Sequence, residues 1–178
     1  MSSQSRDQET VVSQERETVV RWDDPRIGLA QLPALDGLDF MRKIAAGEIP
    51  GAPIASHLNM TLTEVDRGTV TFEGIPDESH YNPIGTVHGG FVCTLLDSAL
   101  GCAVHTTLPA GTGYTSLEIK VSFLRPVSAG SGPLTCTGQV VKPGRRVAFA
   151  EGKVTDGEGR TVATATGSML VFPFDTAS

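Results

Sequence analysis

The sequence predicts an α+β domain, one long helix wrapped by a strongly curved antiparallel sheet. Three observations lead there. First, the run from Val87 to Val104 is apolar on nearly every side, and between Glu78 and Glu118 the only Asp, Glu, Lys or Arg is Asp97; such a run reads as a helix buried by its surroundings. Second, the residues after it fall into short strand-like segments, of which Leu117, Ile119, Val121 and Phe123 alternate most clearly with polar neighbours. Third, the last two segments carry small residues on one face, Ala148, Ala150 and Gly152, then Ala163, Ala165 and Gly167. Small side chains let a sheet approach a helix closely. A single sheet covers one side of an all-round apolar helix, so a dimer is expected, with the second subunit covering the rest.

In chain order, residues 1–50 read as an N-terminal extension, polar and mixed in charge up to about residue 35 and so expected to be largely disordered. A short helix is expected at 37–46, with Leu38, Met41 and Ile44 on one face and the Gly47–Gly51 breaker after it. The main domain is placed at 51–174. Met60 to Val65 and Thr69 to Ile75 flank Asp66-Arg67-Gly68, a hairpin turn signal. The long helix ends near His105, before Pro109-Ala110-Gly111. Leu134 to Val141, Val147 to Thr155 and Thr161 to Phe172 complete the sheet, separated by Lys142-Pro143-Gly144 and Asp156-Gly157-Glu158-Gly159.

At 178 residues the chain suits one domain with a real core. A net charge of −6 leaves no basic stripe for nucleic acid. The acid, the histidines and the Gly-Gly pair of the apolar run argue against a membrane span. Cys93, Cys102 and Cys136 are odd in number and match no zinc spacing, which suits reduced thiols in a cytoplasmic protein.

The chemistry concentrates where His80-Tyr81-Asn82-Pro83-Ile84-Gly85-Thr86-Val87-His88-Gly89-Gly90 leads into the helix. The first helical N–H groups lack intrahelical partners and carry the positive end of the dipole. They can therefore hold an oxygen that gains negative charge in acyl transfer. Asp97 lies about two turns on, on the side of Gly90, Cys93 and Thr94. A carboxylate there could take a proton from water attacking a thioester, or attack the carbonyl itself. Asn82 could hydrogen-bond the water or the carbonyl, or simply hold its turn before Pro83. Ser116 could orient the water. Lys142, Arg145 and Arg146 cluster at one turn and could take phosphates.

Asn82-Pro83, His88-Gly89-Gly90 and Asp97 at these spacings resemble the hotdog-fold acyl-CoA thioesterases of the PaaI-like branch, with Phe123-Leu124-Arg125-Pro126 and Gly144-Arg145-Arg146 extending the likeness over about residues 55–172. The resemblance implies hydrolysis of an acyl-CoA to acid and CoA. It gives Gly89 the oxyanion N–H, with Gly90 beside it, Asp97 the role of nucleophile or base, and Asn82 and Ser116 (or Thr115) positioning roles. His88 would steady the loop, and Arg145 and Arg146 are the candidates for CoA. It further implies an active site shared across a homodimer, Asp97 facing Asn82 and Gly89 of the other subunit, and dimers that pair into homotetramers. No cofactor or metal is implied, CoA being part of the substrate.

Three competing readings stay open at this level. Cys93 in the first turn of the helix is a rival nucleophile, with a thiol that the dipole would acidify. The same fold could hydrate or dehydrate an acyl thioester with His80 or His88. A binding module could hold acyl-CoA without turnover.

Overall fold

A computed structural model describes residues 14–174. The expectation of disorder for the first thirteen residues lies outside this range. Residues 14–24 carry no helix or strand, and from Arg26 onward the chain is packed. Three short helices come first: α1 (Arg26–Leu29), α2 (Gly37–Ala45) and α3 (Pro53–His57). The second is the helix expected at 37–46. Asp36 caps it by accepting the Asp39 N–H at 2.9 Å. Its apolar face, with Phe40 and Met41 buried, sits against the C-terminal end of the long helix α4 (Gly89–His105).

Six strands form one antiparallel sheet: β1 (Met60–Asp66), β2 (Thr69–Gly74), β3 (Thr112–Phe123), β4 (Leu134–Lys142), β5 (Val147–Thr155) and β6 (Thr161–Pro173). Their order across the sheet is β1-β2-β4-β5-β6-β3. The expected α+β architecture, a curved sheet around a central helix, is the one observed. The β1–β2 hairpin turns at Gly68, whose φ of +80° lies in the left-handed region that favours glycine. The Gly68 N–H donates to Thr106 Oγ1 at 2.7 Å, which ties this turn to the end of α4. Because β3 follows α4 but pairs only with β6, it lies at the sheet edge, with its outer hydrogen-bonding side unpaired.

Leu95, Leu96, Ala99, Leu100, Ala103 and Val104 of α4 are fully buried against the sheet. The small-residue faces explain how. Cβ atoms built on Gly152 and Gly167 would come 2.6 Å and 3.0 Å from the two Leu100 methyl groups. Gly138 of β4, cross-strand from Gly152, is tighter still: a Cβ there would collide with the Ala99 carbonyl. The sequence pattern had pointed only to the last two strands; β4 joins the same contact because it lies next to β5.

As expected of a single sheet, the chain by itself covers α4 on one side only: Asp97 is exposed, and Cys93, Thr94 and Ser98 beside it are only half-buried. The sheet covers one side of the helix and α2 covers its C-terminal end, leaving the face of the N-terminal half open.

The β5–β6 turn contains a buried, densely bonded carboxylate. Asp156 Oδ1 accepts the N–H groups of Glu158 (3.1 Å) and Arg160 (2.9 Å), while Oδ2 takes the Arg160 guanidinium at 2.8 Å. Desolvation pushes this carboxyl up, but the bonds from Arg160 and Glu158 outweigh it and hold the group below the usual carboxylate range. A depressed carboxyl stabilises the fold above its unfolded-state pKa, and that contribution fades as pH falls through the native value. Asp156→Asn is therefore expected to melt below wild type at pH 7, with the gap narrowing on acidification below about pH 4. Thermal melts across that range check it.

Candidate active site

The loop before α4 is held by its own polar groups. The Asn82 N–H donates to the Thr86 carbonyl at 2.8 Å and Gly85, at φ +79°, closes the turn. Asn82 Oδ1 accepts the N–H groups of Ile84 and Thr86 at 3.1 Å each, and Asn82 Nδ2 donates to Thr86 Oγ1 at 2.9 Å. Asn82 is thus a turn residue here, with one amide hydrogen left over. His80 lies against Phe91, ring centroids 4.8 Å apart, and its carbonyl accepts the His88 N–H.

His88 caps the helix: its Nδ1 accepts the Gly90 N–H at 2.8 Å. The cap ties the imidazole to the first turn of the helix. Among the described residues no acceptor meets the Gly89 N–H, the first amide of α4, at the positive end of the dipole. Phe123 packs here, since a Cβ on Gly89 would come 3.0 Å from its ring. Sequence reasoning placed Phe123 in an alternating strand and in the Phe123-Leu124-Arg125-Pro126 stretch of the family likeness, with no link to Gly89. Its position against Gly89 depends on β3 running back along the helix. His80 and His88 both use Nδ1 as an acceptor for backbone N–H groups, His80 taking that of Asp77.

The second half of the site is further along. Ser116 Oγ donates to Asp97 Oδ1 at 2.7 Å, joining the edge strand to the open face of α4. A β-bulge interrupts the β3–β6 register between Ser116 and Glu118, the kind of irregularity that re-aims side chains. Thr115, the alternative to Ser116, falls on the opposite face by strand alternation and is not brought to Asp97. Asp97 lies eight residues beyond Gly89, which on a helix is about 12 Å along the axis. One chain thus holds a carboxylate–hydroxyl pair and a free helix N-terminus, too far apart to act on the same carbonyl.

Cys93 does not have the acidified thiol that its place near the dipole suggested. Desolvation pushes its pKa up, and the Asp97 charge adds to that. Cys93→Ala is accordingly expected to change turnover less than twofold, measured as thiol release from an acyl-CoA. Arg145 and Arg146 are exposed at the β4–β5 turn and make no ion pair among the described residues. Register runs from Val147 through Leu170 to Thr115, so Arg146 sits about two strands, or about 10 Å, from the Ser116 end of β3.

Next to the pair lie groups that sequence reasoning passed over. Tyr114, two residues before Ser116, has its hydroxyl 3.9 Å from Cys102 Sγ and its ring 5.4 Å from that of His105. Burial pushes Cys102 up to about 11 and His105 down to about 4, so both are neutral near pH 7. The readable signal was spacing: Ser98, Cys102 and His105 share one helical face.

No helix among the described residues is long and apolar enough to cross a membrane. A family model for the thioesterase superfamily matches residues 84–163. Human acyl-coenzyme A thioesterase 13 is 31% identical over 97 residues, covering 54% of this chain and 68% of that protein. A Ralstonia eutropha structure described as a putative thioesterase, phenylacetic acid degradation-related protein, is 30% identical, with a TM-score of 0.67 over 73% of this chain and 98% of that one. A Streptococcus mutans structure with acetyl CoA bound is 25% identical, with a TM-score of 0.60 over 66% of this chain and 92% of that one. The chain spans between 51% and 68% of the length of the curated relatives it matches at 30% identity or better. With the hotdog arrangement of sheet and helix already traced, these matches establish that the chain belongs to the thioesterase superfamily, among its PaaI-like members.

Proposed function

We propose that this protein hydrolyses acyl-CoA thioesters to the free acid and CoA. The observation that carries the reading is the 2.7 Å hydrogen bond from Ser116 to Asp97 on the open face of α4. With the serine hydrogen engaged, the serine lone pairs can accept from a water and hold it against the carboxylate. Asp97 takes a proton from that water as it attacks the thioester carbonyl, or attacks the carbonyl itself to form an anhydride that water then opens. The oxygen that gains charge is met by the unengaged Gly89 N–H, helped by the helix dipole, and the remaining Asn82 amide hydrogen is available nearby. CoA leaves as the thiolate. No cofactor enters this scheme.

The separation of about 12 Å between Gly89 and Asp97 supports a site shared by two subunits. The unpaired edge of β3, with Leu117, Phe123 and Leu124 exposed along it and just after it, is a surface on which a second copy could pair. Two-fold pairing along that edge would run the helices past each other, bringing the Gly89 end of one toward Asp97 of the other. We take the assembly to be a homodimer of this kind, doubled to a homotetramer, with Arg145 and Arg146 reaching CoA phosphates. Three free cysteines suit a reducing, cytoplasmic setting.

The test is thiol release from a panel of short, long and aromatic acyl-CoA esters, together with the sedimentation mass. Hydrolysis of at least one ester by a dimer or larger assembly supports the proposal. A monomer, or a protein that binds acyl-CoA and releases no thiol from any of the panel, overturns it.

A further inference from the structure

A cleft of about 650 Å³ lies between α4 and the three N-terminal helices, within the size range of small-molecule sites. Ser98 and Cys102 of α4 form its floor and Tyr114 one wall, while Leu29, Ile44 and Ala55 belong to its roof. No Asp, Glu, Lys or Arg lines it among the described residues. Its few polar groups do not call for a charged guest. Tyr114 and Cys102 face each other at 3.9 Å, and His105, also in the lining, is held neutral by burial. Ile27, Leu29 and Ile54 stay about half exposed around the same helices, leaving an apolar rim.

The cleft's lining includes Ser98 and Tyr114, chain neighbours of the reactive pair. Ser98 follows Asp97 in the chain, and Tyr114 precedes Ser116 by one strand repeat, the hydroxyls of Tyr114 and Ser116 both on the side of β3 that meets α4. On the reading that Asp97 activates the attack on a thioester, we infer that this cleft receives the aliphatic tail of the acyl group, so that α1, α2 and α3 serve as the roof of an acyl chamber. A carbonyl held at Asp97 and Ser116 would have its alkyl chain leave past Ser98 and Tyr114 into a space without charge. The substrate class that follows is a thioester of a medium or long aliphatic acid, because an acetyl group would leave most of the chamber unfilled.

Filling the roof tests this. Ile44→Trp and Ala55→Trp are two independent ways to occupy the space, each compared with wild type for dodecanoyl-CoA, butanoyl-CoA and phenylacetyl-CoA hydrolysis, after a thermal melt shows which variants fold. The ratio of kcat/KM for dodecanoyl-CoA over butanoyl-CoA is expected to fall at least tenfold. A parallel readout without turnover is the binding of dansyl-undecanoate, expected to saturate on wild type and to weaken at least tenfold in the filled variants. A ratio within twofold of wild type in a folded variant overturns the chamber, as does a loss confined to phenylacetyl-CoA. Failure of wild type to hydrolyse any ester would overturn the thioesterase reading, while dansyl-undecanoate binding would still decide whether an aliphatic chain occupies the cleft.

Discussion

Asp97→Asn is expected to lower kcat for thioester hydrolysis by about a thousandfold, the middle of the range for removing a positioned base. The substitution keeps the shape of the side chain and an acceptor for the Ser116 hydroxyl, now bonded at 2.7 Å, but removes the atom able to take a proton or attack a carbonyl. Asp97 is exposed within the chain, so its melting temperature is expected to stay close to wild type. Loss of activity together with a large loss of stability would assign the carboxylate a structural role. A retained rate would remove Asp97 from the chemistry. Ser116→Ala is expected to matter in wild type and to add little on top of Asp97→Asn, since the two groups act as one unit. Single-turnover hydrolysis in labelled water tests for the anhydride. Label carried on Asp97 marks an anhydride opened at the Asp97 carbonyl, whereas label in the released acid is common to a base and to an anhydride opened at the acyl carbonyl.

The second large effect is on stability. Gly138→Ala is expected to cost about 3 kcal/mol, the upper part of the usual range for overpacking, and to lower the melting temperature by roughly 9 °C for a domain of this size. The added methyl group meets the backbone carbonyl of Ala99, in the middle of α4, and a backbone cannot turn aside as a side chain can. Relief requires lifting the helix from β4, which would loosen the contacts of Leu95, Leu100 and Val104 with the sheet. Differential scanning calorimetry on the variant checks this. An unchanged melting temperature would mean that helix and sheet do not approach as closely as described.

Much of the fold was readable because local chemistry and tertiary structure agreed. The hairpin at Asp66-Arg67-Gly68, the helix starting at Gly89 and the four later strands each have a strong signal, either a glycine in a left-handed turn or an alternation of period two. The small faces of β5 and β6 gave the helix–sheet contact before any coordinates. Gly138 was not legible, because nothing in its own strand says which residue of which helix will lie over it. Asp97 is legible as an oddity, a lone charge in an apolar run, while its place on the face of α4 that the chain's own sheet leaves open is not. Apolar composition records what a residue can bury, not what the chain places over it.

The residues alone therefore determined most of the secondary elements, the unusual carboxylate and the glycine-rich helix start, since these depend on neighbours within a few positions. Tertiary structure decided what they meet. The chain-reversing path of β3 brings Ser116 to Asp97 across nineteen positions, the rise of α4 keeps Gly89 about 12 Å from that pair, and the folding-back of residues 26–57 builds a cleft beside it. Distances of this kind depend on how helix and strands pack across long sequence separations, and no local pattern of residues encodes them.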